Sequence, residues 1–343
     1  LSILLAIYFS VNAYALLRLG ILLGIKKKLF FWLAAGILTA AFPLAFVWEA
    51  KSDHLPAHIF YSAVTIWIGI VFLLFWTVLL HDVLRLLLPI PPRWGAGVII
   101  ALTAGLAGYA FFNAHRLRVK PLHIPGPVSL RAVQLSDIHL GSTSPAMLRK
   151  IVDQTNALQP AVVFITGDLL DNSTRSNRRA VKMLNDIQAP IFFVTGNHET
   201  YVGLERVTQM LAETKVKTLH NEAVNYDGVQ IIGVDFGWSV SRLAQELDRI
   251  KPDDSRYKIL LCHNPDAVPA AAGQGINLML SGHTHYGQIF PFNFIIRLLY
   301  ERMKGLHQVD GCWLYISPGS GYWGPPMRLG SHCEITLIDI GPG

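Results

Sequence analysis

The sequence predicts a two-part protein, a group of four membrane-spanning helices in the first third followed by an α/β domain. Three observations carry this. Of 343 residues, 52% are hydrophobic and only 15% charged, with a mean hydropathy of +0.38; that excludes an ordinary soluble, disordered or disulfide-stapled chain. Charge is uneven: residues 1–128 hold 10 Lys/Arg and 3 Asp/Glu and residues 129–343 hold 19 and 20, so the net +6 belongs to the first third. This places positive charge at membrane boundaries rather than on a nucleic-acid-binding face. Finally, at Leu130 long apolar runs give way to short ones ending in polar clusters.

Residues 1–25, 29–48, 57–80 and 94–114 are apolar stretches of about 20 residues, the length a helix needs to cross the hydrocarbon. Arg18 is the one charge inside the first, and Pro43 lies inside the second. Four such stretches exclude a cleaved signal peptide as their explanation. Lys26, Lys27 and Lys28 follow the first, and Arg85 and Arg93 flank the loop before the fourth. The positive-inside tendency puts those loops in the cytoplasm and the remaining domain outside, against the opposing pull of Arg116, Arg118 and Lys120. The membrane region is expected to close by residue 120. Pro121, Pro125, Gly126 and Pro127 then predict a stiff linker over 121–129.

From 130 to 343 the pattern predicts strands at 131–136, 161–166, 191–195, 228–234, 257–262, 277–281, 312–316 and 334–340. Helices are predicted at 147–158, 178–187, 241–248 and 266–272. Alternation of this kind makes an α/β domain whose ligands bind beyond the carboxyl ends of strands. Five polar clusters fall there: Asp137/His139, Asp168, Asn197/His198, His263 and His283/His285, with a glycine immediately before Asp168, Asn197 and His283. This donor set offers nitrogen and oxygen without thiolate, suiting manganese, iron or zinc and opposing a closed structural zinc site. Two ions are served if one carboxylate bridges them.

Asp137-x-His139, Gly167-Asp168-x-x-Asp171, Gly196-Asn197-His198-Glu199, His263 and Gly282-His283-x-His285, in that order, resemble the five motifs of the calcineurin-like metallophosphoesterases. The resemblance covers roughly residues 130–340. Tyr286-Gly287-Gln288, Met327-Arg328-Leu329-Gly330 and Glu334-Ile335 further resemble the bacterial membrane-associated phosphodiesterase branch. The resemblance implies a four-layer αββα sandwich, a bacterial cytoplasmic-membrane location and two divalent ions, with manganese favoured. Asp137, His139, Asp168 and His285 would hold one ion; Asp168, Asn197, His263 and His283 the other. A hydroxide between them would attack phosphorus, and His198 would assist the departing oxygen. Asp171 and Glu199 would orient ligand imidazoles, although Asp171 reads equally as a turn residue. Asp235 and Trp238 are candidates for the pocket floor, and Arg328 for a bidentate phosphate contact.

Residues 289–306 form a strongly apolar, partly basic run directly after the last metal motif. It reads as an interfacial element resting on the bilayer, or else as a core helix. The first reading points to a membrane-tethered phosphoesterase acting on a membrane phospholipid or lipid-linked substrate, without nucleic-acid partners. The alternative is a phosphodiesterase or phosphatase of small soluble substrates whose helices only anchor it. Cys312 and Cys333 begin two late strands and are candidates for a disulfide if the domain is extracytoplasmic, or else are small buried thiols.

Overall fold

The four apolar stretches fold as α1 (Ser2–Leu22), α2 (Lys28–Lys51), α3 (Leu55–Leu84) and α4 (Pro92–Ala114). The computed structural model describes residues 2–52, 54–172, 174–237 and 240–342. All four helices are long and apolar enough to cross a membrane. Residues up to Phe112, with 324–327, form one compact unit. Its interior is small, built from Ala15, Leu22, Val71, Leu74, Val78, Ala96 and Ile99, while Leu29, Ile37, Leu55 and Trp94 are exposed. An apolar outer face is the inverse of a water-soluble bundle and matches lipid as the solvent.

The third helix continues past the expected residue 80, and the added turn supplies a counter-charge. Asp82 receives Arg18 as a fork, with Nη2–Oδ1 at 2.5 Å and Nε–Oδ2 at 2.7 Å, and Tyr14 Oη donates to Oδ2 at 2.7 Å. An arginine among apolar helices is tolerated when paired in this way. Asp82→Ala leaves the Arg18 guanidinium, four residues from the end of α1, without its carboxylate partner. The thermal midpoint of the detergent-solubilised chain is therefore expected to fall for Asp82→Ala. It recovers in Arg18→Met/Asp82→Leu, which removes both charges.

The second unit spans Asn113–Trp323 and Arg328 onward. It opens with β1 (Leu117–Pro125), β2 (Leu130–Leu135), α5 (Pro145–Ala157), β3 (Val162–Thr166), α6 (Arg175–Val181) and β4 (Ile191–Val194). Next come α7 (Asn197–Val202), α8 (Leu204–Leu211), β5 (Val216–Thr218), β6 (Glu222–Tyr226), β7 (Val229–Gly233), α9 (Val240–Ile250) and β8 (Tyr257–Leu261). The unit ends with α10 (Val268–Gly273), β9 (Leu278–Ser281), α11 (Phe292–Leu299), β10 (Gly305–Val309), β11 (Cys312–Ile316) and β12 (Cys333–Gly341). Two six-stranded mixed sheets result, in the orders β1-β12-β2-β3-β4-β5 and β10-β11-β9-β8-β7-β6.

Alternation along the strands builds the layers. Ala132, Val162 and Phe164 of the first sheet meet Ile231, Ile259, Leu278 and Leu280 of the second. Their neighbours Val133, Val163 and Ile165 face outward onto Leu148 and Ile151 of α5 and Val207 of α8. On the far side, Ile232, Leu260, Met279 and Leu314 pack on Leu243 and Leu247 of α9 and Val268 of α10. The architecture is the four-layer αββα sandwich. Each strand is buried on both faces because one face meets the other sheet and the opposite face meets a helical layer.

One expectation is corrected here, and one open alternative is decided. The residues read as a stiff linker are largely strand: β1 pairs in parallel with β12 from Leu117↔Cys333 to Pro125↔Gly341. The prolines that suggested a linker are compatible because β1 is an edge strand, where an absent N–H can face away from the sheet. The cysteines are free and buried; Cys312 packs in the α9/α10 layer and Cys333 in the α5/α8 layer. They lie on opposite outer faces of the sandwich, beyond the reach of a disulfide.

Candidate metal centre

The polar clusters meet where the parallel strands of both sheets end. Asp137 and His139 follow β2, Asp168 follows β3, Asn197 and His198 follow β4, His263 follows β8, and His283 and His285 follow β9. The chain leaves these strands under strain: Asp137, His139, Asp168, His283 and His285 all have φ between 48° and 75°, a region costly for residues other than glycine. Gly167 has φ +90°. Gly196 and Gly282 serve another purpose, close approach. A Cβ on Gly196 would lie 2.1 Å from Asp168 Oδ1, and one on Gly282 would lie 2.1 Å from Asp137 Oδ2.

Three donor sets converge, each within 4.8 Å: Asp137, His139 and His285; Asp168, His263 and His283; and His139, Asp168 and His198, which joins the other two. In the first, His139 Nε2 lies 2.9 Å from His285 Nε2, and His285 Nε2 lies 3.3 Å from Asp137 Oδ1. In the second, His263 Nε2 lies 3.2 Å from both Asp168 Oδ2 and His283 Nδ1. Asp168 Oδ2 is also 3.7 Å from His139 Nε2, so this carboxylate stands between the sets. Separations near 3 Å fit neighbouring donors on a cation with bonds of about 2.0–2.2 Å.

The far ring atoms show which nitrogens are free. His139 Nδ1 is 2.7 Å from Asp171 Oδ1, and His263 Nδ1 is 2.7 Å from the Thr166 carbonyl. Those acceptors take the Nδ1–H and so reserve each Nε2 for a cation, the usual support for a ligating imidazole. His283 is turned round: its Nε2 is 2.7 Å from Tyr300 Oη, leaving Nδ1 to face His263. Asn197 Oδ1 is buried without a hydrogen-bond partner, which a native protein rarely accepts unless a cation or water completes it. The donors therefore fit a pair of divalent ions.

Electrostatics agree. Asp137 and Asp168 are buried side by side. Burial and then the His263 charge act first on Asp137, with Asp168 opposing ionisation, and its pKa rises. Burial also opposes ionisation of Asp168, but His263 and His139 outweigh it and hold its pKa well below the usual range. Burial lowers the His263 pKa, yet the Asp168 charge and hydrogen bond overcome this and raise it to about 10. A proton there occupies the place of a cation. For His285, burial together with the charges of His139 and Arg328 keeps the ring neutral.

The remaining candidates are sorted by their contacts. Asp171 lies between two rings, 2.7 Å from His139 Nδ1 and 2.9 Å from His198 Nδ1, and accepts from Ser142 Oγ at 2.5 Å. Glu199 touches no ligand imidazole. Its carboxylate accepts from the amides of Gly196, Asp168, Leu169 and Leu170 at 2.7–3.1 Å, tying the β3 and β4 turns together. Arg328 is fully buried and donates to the carbonyls of Gly321, Pro318 and His285. Its Nη2 also lies 3.3 Å from His285 Nδ1, so the structure places it behind a ligand imidazole rather than free for a phosphate. Asp235 accepts from Thr195 Oγ1 at 2.8 Å and pairs with His220, while Trp238 lies outside the described residues. Phe236 packs its ring 5.8 Å from both His263 and His283.

Sequence reasoning missed Tyr300, Tyr201 and Trp323. The last two rings stand 5.4 and 5.6 Å from His198 and are 64% and 49% exposed. Gln288 holds Trp323 by two backbone hydrogen bonds. Only Gln288 carried a signal, as part of the Tyr-Gly-Gln continuation.

Two outcomes follow. Mn2+ uptake near neutral pH is expected to release about one proton as the cation replaces that of His263; calorimetry in buffers of different ionisation heat measures it. Asp171→Asn is expected to weaken Mn2+ binding about 10–100-fold, as loss of a ligand's supporting partner does, with the fold intact by circular dichroism.

The calcineurin-like phosphoesterase family model matches residues 130–287, a span containing all five clusters. A Bos taurus transmembrane protein with metallophosphoesterase domain is 39% identical over 239 residues, covering 62% of this chain and 53% of that protein. A Campylobacter jejuni uncharacterized metallophosphoesterase is 35% identical over 220 residues, covering 62% and 59%. An Aquifex aeolicus uncharacterized metallophosphoesterase is 32% identical over 256 residues, covering 68% of this chain and 96% of that protein. The chain thus spans little more than half the length of the Bos taurus and Campylobacter jejuni relatives. On this similarity the chain belongs to the calcineurin-like metallophosphoesterases.

Proposed function

We propose that the protein is a membrane-tethered, dinuclear-metal hydrolase of phosphate esters in lipid-linked substrates. The observation that supports it most is the convergence of three-residue donor sets of carboxylates and imidazoles, two of which contain Asp168. Asp137, His139, Asp168 and His285 would hold one ion, and Asp168, Asn197, His263 and His283 the other, manganese being the favoured metal. When bound, two such cations activate water and offset the charge that develops on the phosphoryl oxygens.

The chain's own residues supply the rest. His198 is mostly buried and is not among the proposed ligands. Burial lowers its pKa, but the hydrogen bond and charge of Asp171, with Asp168 and Glu199 behind, raise it to about 9. It is therefore protonated near neutrality and suited to donate to the departing oxygen. Its amide donates to Asp168 Oδ1 at 2.9 Å, which fixes the proton donor relative to the shared carboxylate. The amide and ring contacts together hold the imidazole at the mouth of the site.

The lipid-linked part of the reading rests on the surroundings of His198. Tyr201 and Trp323 are exposed aromatics at its edge, a surface suited to amphiphilic substrates. Four membrane-length helices in the same chain would tether the domain to a bilayer, and the loop charges favour the outer side of a bacterial cytoplasmic membrane.

Phosphorus NMR on bilayers of extracted envelope lipids, with Mn2+-loaded protein, tests the reading. New phosphate resonances are expected with the wild type and at least a hundredfold slower with Asp168→Asn. Cleavage of a water-soluble aryl phosphate diester without any change in the lipids would instead select small soluble substrates, with the helices an anchor only.

A further inference from the structure

One segment is bonded to the metal centre and yet turns an apolar face outward. No side chain of α11 is buried; Phe294, Leu298 and Leu299 are 57%, 86% and 67% exposed, with Phe290 and Ile295 nearly half exposed. This excludes the core-helix alternative for residues 289–306. An apolar patch of this continuity calls for an occupant. The segment carries Arg297, Arg302 and Lys304 against one acidic residue, Glu301; Arg302 pairs with Glu301 and Lys304 lies over the Tyr286 ring, which leaves a net positive face led by Arg297, and the chain carries four helices able to cross a membrane. Apolar side chains bordered by cations fit the headgroup layer of an anionic bilayer, where the former reach the acyl boundary and the latter meet lipid phosphates.

The same segment holds the last metal motif. Tyr300, at the end of α11, places Oη 2.7 Å from His283 Nε2, and the rings meet edge-on at 5.5 Å. Thr284 Oγ1 donates to the Met303 carbonyl at 2.5 Å, and Lys304 Nζ stands 3.6 Å from the centre of the Tyr286 ring. The turn from His283 to Tyr286 thus contacts this segment at three points, His283, Thr284 and Tyr286. A lone pair on Nδ1, beside His263, requires the hydrogen on Nε2, and Tyr300 Oη is placed to accept it. If Tyr300 withdraws, the ring is free to take the other tautomer or rotate away.

We propose that α11 docks on an anionic bilayer surface and that Tyr300, as a positioning residue, transmits the docked geometry to His283. Bilayer contact would then complete the metal centre. This rests on the metal-centre reading of the site but not on the identity of its substrate.

The test uses the full chain in nanodiscs of phosphatidylcholine with or without phosphatidylglycerol. Because the three native cysteines are buried, an environment-sensitive fluorophore attaches selectively to Leu298→Cys, with Asp153→Cys on α5 as a control. Blue-shifted emission and protection from an aqueous quencher are expected at position 298 when phosphatidylglycerol is present, and not at 153. Mn2+ titration followed by electron paramagnetic resonance reads the coupling. Tyr300→Phe, with an unchanged melting profile, is expected to weaken one of two Mn2+ sites about 10–100-fold. The wild-type affinity should fall towards the variant's when phosphatidylglycerol is omitted, and the variant should ignore the lipid.

Aqueous emission at position 298 in anionic discs would overturn docking. Mn2+ affinity indifferent to both Tyr300→Phe and lipid would overturn the coupling, and absence of Mn2+ binding would overturn it together with the proposed function. Docking and the Tyr300 effect without hydrolysis of any ester would leave this inference standing and remove only the proposed function.

Discussion

Asp137 and Asp168 are two carboxylates withdrawn from water into one pocket, and the need to neutralise them governs the structure around them. Buried carboxylates demand positive charge, and in their immediate shell the protein offers imidazoles rather than a lysine. The strands end so that four histidines point inward. The turns adopt left-handed backbone at Asp137, His139, Asp168, His283 and His285, a cost that only a well-packed scaffold sustains. Gly196 and Gly282 let neighbouring turns touch the carboxylates. Glu199, itself buried, spends its charge on four amides that hold two of those turns in register.

The support extends one layer further out. Asp171 serves two rings of different expected function, His139 as a ligand and His198 as a proton donor, so a change at this one carboxylate perturbs both. Arg328 anchors the chain behind His285 through carbonyls of Pro318 and Gly321. Asn113 donates to the carbonyls of Arg328 and Ser331, so the entry point of this unit is bonded to the same late loop.

Much of the fold was readable because its signals are local. Apolar length marks α1 to α4, and apolar runs closed by polar clusters mark β2, β3, β4, β8 and β9, whose ends carry the candidate ligands. The less legible parts depend on partners distant in sequence. β1 looks like a linker because its prolines are informative locally, whereas its strand character comes from β12, over 200 residues later. β5, β6 and β10 are short edge or near-edge strands with partly exposed side chains, lacking the apolar run that signals a buried strand. Arg328 resembles a phosphate ligand by residue type alone; only burial reveals that its donors are occupied. Tyr300 is one hydroxyl in an apolar run, and nothing in the spacing announces its bond to His283.

The central claim is that Asp168 joins two metal ions into one centre. Low-temperature electron paramagnetic resonance of the full chain loaded with Mn2+ tests it most directly. The account predicts the multiline signature of an exchange-coupled Mn2+ pair in the wild type, collapsing to isolated-ion spectra in Asp168→Asn. A single isolated Mn2+ per wild-type chain at saturation, or a coupled pair that survives Asp168→Asn, would contradict it.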